Sequence, residues 1–96
     1  MSDLLCAVLV EFLGTLVFFT VILRFASKEW CAFPIGLALM AAILFGGAVS
    51  GGHFNPAVTF MMLMNNKISV DKTIAYVVAQ LFAACSALLL VKHCNP

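Results

Sequence analysis

The sequence predicts an all-α membrane protein with three transmembrane helices and one re-entrant half-helix. Three observations lead there. Of the 96 residues, 65% are hydrophobic and only 9% charged, too apolar for a domain with a water-facing surface. Long apolar segments, about 4–23, 33–46 and 71–91, are separated by short polar stretches. A further apolar segment, about 56–64, is too short to cross a bilayer.

The first segment, Leu4 to Leu23, has about twenty residues, enough for a hydrocarbon layer of ~30 Å. Met1-Ser2-Asp3 lacks a positive n-region, and no small-residue cleavage site precedes Arg24, so a retained span is expected rather than a signal peptide. Glu11 is the one charge inside this run. A carboxylate at that depth costs at least ~2–3 kcal/mol without partners. Either the N–H-rich loop around Gly51 and His53 supplies those partners, or Glu11 is protonated or snorkels without a role. Arg24 and Lys28 then mark the headgroup level, with Trp30 as an interfacial anchor.

In the second segment Pro34 suits a first helical turn, and Ala38, Ala42 and Gly46 form a small-residue stripe where another helix can approach closely. Gly46-Gly47 is expected to end this helix. Asn55 then suits an N-cap, and Pro56 the first helical position, where a missing N–H costs nothing. A helix of about nine residues covers roughly half of the hydrocarbon layer. Its N-terminus would carry unpaired N–H groups and the positive end of the helix dipole to mid-membrane. Non-helical backbone is tolerated there only where protein buries it or it lines a water-filled cavity, so Ser50 to Thr59 is a candidate pore element. After the polar turn Asn65-Asn66-Lys67, Ser69 and Asp71 provide a cap and an acidic first turn for the third segment. Ala75, Ala79, Ala83 and Ala87 form its packing stripe, with Gln80 beside it in need of a polar partner.

The stretch Ser50-Gly51-Gly52-His53-Phe54-Asn55-Pro56-Ala57-Val58-Thr59 resembles the first Asn-Pro-Ala loop of the aquaporin (major intrinsic protein) family. Glu11-Phe12-Leu13-Gly14-Thr15 resembles that family's first-helix motif, and Ala79-Gln80 its third-helix motif. Three motifs in order make the resemblance specific. It covers nearly the whole chain, as the family's first half: residues 1–96 would be one half-aquaporin repeat of a six-helix bundle. A second Asn-Pro-Ala is not in this sequence, nor an Arg shortly after the first.

The resemblance implies that Asn55, Pro56 and Ala57 form the pore motif, and that Glu11 props the pore loop from behind. Gln80 is assigned to the same bracing, or equally to an interhelical hydrogen bond without function. Backbone carbonyls of Gly51, Gly52 and His53 would accept along one wall, and the Asn55 amide would donate at the midplane. His53 lines the wider mouth or is an ordinary loop histidine. Phe18 would face the channel. The filter position of the second helix falls on Ile35, where water channels carry an aromatic or His. An inverted copy would add Ile43, Gly52 and Val58, with Val58 where the family's second half has Arg. That ring is apolar and open, which favours small uncharged solutes beside water.

The function expected is therefore a membrane channel half-unit for passive permeation of water or small neutral solutes. Its partners would be the lipid bilayer, the permeant, and an inverted second copy or complementary half-channel. Two rivals are a non-conducting structural or regulatory membrane subunit and a small dual-topology transporter with Glu11 as coupling carboxylate. No nucleophile–base pair supports an enzyme. Cys6, Cys31, Cys85 and Cys94 lack metal-ligand spacing, so no metal or cofactor is expected. Cys31 and Cys94 share a membrane side, where a disulfide could form if that side is oxidising. A net charge of +1 without a basic patch excludes nucleic acid as an expected partner. Three spans put Arg24, Lys28 and Lys92 on one side and Lys67 and Lys72 on the other, a near-tie that leaves orientation weakly determined.

Overall fold

The computed structural model describes residues 2–94, and those residues are all helix and connecting turns. Four helices follow one another: α1 (Asp3–Phe25), α2 (Ala32–Ser50), α3 (Pro56–Met64) and α4 (Val70–His93). α1, α2 and α4 are each long and apolar enough to cross a membrane. α3, with nine residues, rises ~13 Å and reaches about halfway.

Local chemistry sets the boundaries. The Ser2 hydroxyl accepts from the Leu5 N–H at the start of α1, and Ser69 accepts from the Lys72 N–H at the start of α4. At α3 the Asn55 side-chain oxygen accepts from the Ala57 N–H, and Pro56 occupies the first helical position. α2 departs from the sequence expectation. It does not stop at Gly46-Gly47 but continues to Ser50, ending where Gly51 turns left-handed at φ 92°. A glycine ends a helix only when it adopts that left-handed conformation, and Gly46 does not. Gly46 has a different job. It is buried, and an added Cβ would strike the Val10 side chain, so it lets α2 lie close against α1.

α1 is the central element. It packs along both α2 and α4, whose backbones stay apart from one another, and α3 leans on α4 alone. The buried residues form one seam: Ala7, Glu11 and Thr15 on α1; Ala38, Ala42 and Gly46 on α2; Tyr76, Ala79, Gln80, Ala83 and Ala87 on α4. Small side chains dominate it, which permits close approach where no hydrophobic force separates protein from lipid. Large apolar side chains point outward instead, with Leu44 and Phe45 at 80% and 85% exposure. All four cysteines are free thiols, Cys31 and Cys94 included.

Candidate functional site

The site is built on Glu11. Its side chain is fully buried in the α1 seam. Oε2 accepts from the Ser50 hydroxyl at 2.7 Å and from the His53 N–H at 3.0 Å. Oε1 accepts from the Phe54 N–H at 2.8 Å and from the Gln80 amide at 2.9 Å. A carboxylate has about four acceptor positions, and here all are used. Two of the four donors are backbone N–H groups of the loop between α2 and α3, so one side chain fixes the loop's course.

The sequence expectation placed Gly51 among those donors. Its N–H instead closes α2 by donating to the Gly47 carbonyl at 2.8 Å. The Gly52 N–H donates to the Ser50 hydroxyl at 3.1 Å. Gly51 and Gly52 both have positive φ, 92° and 68°, which turns the chain sharply enough to present the next two N–H groups to Glu11.

Phe54 is the less expected element. It is fully buried and left-handed at φ 54°, rare for an aromatic residue. Its ring lies against Gly14 of α1 so closely that a Cβ there would collide with it. The ring anchors the loop on one side while Glu11 holds its backbone on the other. Glycine in the Gly14-Thr15 pair thus has a steric reason.

Gln80 connects the hub to the half-helix. Its Nε2 donates to Glu11 and also to the Thr59 hydroxyl, each at 2.9 Å. The Thr59 oxygen lies 2.9 Å from His53 Nδ1, and the His53 ring meets Tyr76 edge to face at 5.2 Å between centroids. Tyr76 in turn donates its hydroxyl to the Ser50 carbonyl at 2.6 Å, bridging α4 to the end of α2. Lys72 lies over the Tyr76 ring at 5.6 Å, on the side where α4 begins. Ser50, Phe54, Thr59 and Tyr76 all belong to this network and had no assigned role from sequence. The signal was available: Ser50, Thr59 and Tyr76 are polar groups within apolar helices, and Tyr76 stands one turn before Gln80 on the same face.

The other edge of the loop is open. No hydrogen bond among the described residues ends on the carbonyls of Gly51, Gly52 or His53, and none starts from the Asn55 amide nitrogen. Ala57 is exposed, and Pro56 and Val58 are half-buried. Phe18 and Ile35, half-buried on α1 and α2, take no part in the polar network; the Phe18 ring is tilted against Phe19 at 5.7 Å. Among the described residues no cluster of His, Cys, Asp or Glu could hold a metal ion.

A sequence model of the major intrinsic proteins matches residues 1–96. The chain belongs to the major intrinsic protein family. Among curated members, it is 42% identical over 89 residues to a glycerol uptake facilitator protein-like 6 of Lactiplantibacillus plantarum, covering 88% of this chain and 41% of the relative. It is 43% identical over 86 residues to aquaporin-5 of Sus scrofa, covering 81% and 32%. To the lens fiber major intrinsic protein of Gallus gallus it is 39% identical over 88 residues, covering 81% and 33%. This major intrinsic protein chain thus spans between about a third and two fifths of the length of the relatives it matches. With its three apolar helices, it is an integral membrane protein.

Proposed function

We propose that the chain is a membrane-channel half-unit for passive permeation of water or small neutral solutes, its pore completed by an inverted second unit. One observation carries the reading: the N–H groups of Gly52, His53 and Phe54 are bound on the inner side, while among the described residues three successive carbonyls and the Asn55 amide nitrogen have no partner at the tip of a half-length helix. In lipid each such group costs several kcal/mol, on the order of the whole stability of a small domain, so this edge has to meet water or protein. A file of water or hydroxyl-bearing solute supplies donors to the carbonyls and an acceptor to Asn55. The α3 N-terminus at the same depth disfavours cations through its dipole. The names of the relatives, an aquaporin and a glycerol uptake facilitator among them, support the same permeant class.

The geometry weighs against Glu11 as a transporter's coupling carboxylate. Such a group exchanges its proton during turnover, whereas the acceptor positions of Glu11 are filled by four donors that hold the loop. Asn55, Pro56 and Ala57 form the pore tip in this reading, and Gly51, Gly52 and His53 the acceptor wall. Val58, Phe18 and Ile35 line the path, and Glu11 and Gln80 brace it.

The test is osmotic shrinkage of liposomes containing the purified chain, first for water and then with glycerol or urea. Wild type should shrink faster than empty liposomes. Asn55→Asp, which removes the amide donor, should slow both permeants; Val58→Arg should slow glycerol more than water. Wild-type flux equal to empty liposomes, from protein with intact helical content, overturns the self-sufficient channel and leaves a non-conducting subunit.

A further inference from the structure

The polar network around Glu11 has a direction, set by which of its atoms carry hydrogen. The buried Glu11 side chain meets a donor at each of its four acceptor positions, so it acts as an acceptor throughout. That fixes the Gln80 amide. Its nitrogen faces Glu11 Oε1, since the opposite orientation would set the amide oxygen against a carboxylate oxygen. Both amide N–H groups are then in use, one on Glu11 and one on the Thr59 hydroxyl, each at 2.9 Å. Thr59 receives a hydrogen and still has one of its own to place.

Thr59 is completely buried, where a hydroxyl hydrogen without an acceptor is costly. Thr20 and Thr73 direct theirs to the carbonyl four residues back, that of Leu16 and of Ser69. Thr59 makes no such bond among the described residues; its remaining polar neighbour there is His53 Nδ1 at 2.9 Å. If Nδ1 carried the proton, Thr59 would accept twice and its own hydrogen would have no partner. With Nδ1 bare, Thr59 donates to it and every hydrogen is placed. The imidazole proton is then on Nε2. Nε2 has no hydrogen-bond partner among the described residues. A Cβ on Gly51 would stand 3.4 Å from it, so it lies beside the turn whose carbonyls form the open edge.

We infer that Thr59 is a positioning residue: its hydroxyl holds His53 in the neutral Nε2–H form, and that N–H is a donor offered to an oxygen atom of the permeant. The donor role rests on the half-channel reading above; the tautomer does not. The order has a physical source, since the chain of donors starts at the Glu11 carboxylate and each link polarises the next. It also bears on what the site takes. The carbonyls of Gly51 to His53 can only accept, whereas His53 Nε2–H and the Asn55 amide donate on the same edge. A small neutral molecule that both donates and accepts, such as water or an alcohol, answers both.

The test uses the full chain with His93→Gln, which leaves His53 as the only histidine, isotope-labelled at the ring nitrogens and reconstituted in lipid bilayers. Solid-state nitrogen NMR at about pH 8, where a free imidazole is neutral, should show a bare Nδ1 and a protonated Nε2, with the Nε2 hydrogen correlated to water. Thr59→Val should shift the Nδ1 signal downfield as its donor is lost, and Thr59→Ser should restore the wild-type position. A proton on Nδ1 in the unsubstituted Thr59 protein overturns the inference, and so does an Nδ1 signal that Thr59→Val leaves in place. If Thr59→Val does not accumulate, a cross-peak between Nδ1 and the Thr59 hydroxyl hydrogen takes its place, and its absence counts against the inference. An Nε2–H without contact to water overturns the donor role. The expected tautomer in protein whose liposome flux equals that of empty liposomes upholds the Thr59 assignment and removes the channel. Solute flux with the proton on Nδ1 keeps the channel and removes the assignment.

Discussion

The two edges of the loop between α2 and α3 are made of the same backbone and treated in opposite ways. On the inner edge the loop backbone is held by named partners: N–H of His53 and Phe54 on Glu11, N–H of Gly52 on Ser50, the Ser50 carbonyl on Tyr76, while the buried Gln80 Oε1 and Thr15 Oγ1 have no hydrogen-bond partner among the described residues. On the outer edge the Gly51, Gly52 and His53 carbonyls have no donor among the described residues. The contrast separates two requirements that a pore loop has to meet together. The inner edge supplies rigidity, because groups with one buried partner each cannot be rearranged without loss. The outer edge supplies solvent-like acceptors, which work only if the inner edge holds them in place.

The sharpest way to break this comparison is Glu11→Leu. It leaves two backbone N–H groups and one Gln80 N–H without acceptors, each costing about 1–3 kcal/mol when buried, and returns the Ser50 hydroxyl to the Gly46 carbonyl, so the expected destabilisation exceeds about 3 kcal/mol. Denaturant titration in detergent, followed by circular dichroism, would read it. A wild-type midpoint would mean that the inner edge does not hold the loop. Next comes Gly14→Ala, which pushes a methyl group into the Phe54 ring and should cost about 1–3 kcal/mol by overpacking. Phe54→Leu should suffer less in the Gly14→Ala background than alone, a coupling that a double-mutant cycle measures directly. The smallest effect is expected from Tyr76→Phe. It removes one hydroxyl and leaves the Ser50 carbonyl unmatched, about 1 kcal/mol, with helical content unchanged. These four inner-edge variants should shift stability and flux together. Asn55 variants on the outer edge should shift flux more than stability, and equal shifts from both sets would erase the distinction.

Much of this arrangement is legible in the chain itself, and the part that is not has definite causes. The three long helices follow from apolar run length, and the half-helix from a short run behind Asn55-Pro56. The depth of Glu11 in an apolar span announces that it has partners, and Gln80 asks for one in the same way. Which N–H groups answer Glu11 depends on the turn at Gly51-Gly52, and sequence does not distinguish that pair from Gly46-Gly47. One pair turns left-handed and ends a helix; the other stays helical, with Val10 packed where a Cβ on Gly46 would stand. Phe54 is opaque for a similar reason. Its left-handed backbone is tolerated because its ring is locked against Gly14, forty residues earlier in the chain.

The central position of α1 bears on how the molecule comes together. As the polypeptide leaves the ribosome, α1 and α2 can pair at once, since each offers its small-residue seam to the other. The hydrogen bonds to Thr59 and to the Ser50 carbonyl come from Gln80 and Tyr76, on α4, which is made after the half-helix. Insertion of α4 is therefore the event that draws Pro56–Met64 down from the interface, and a nascent chain arrested before residue 70 would leave that short helix lying at the membrane surface.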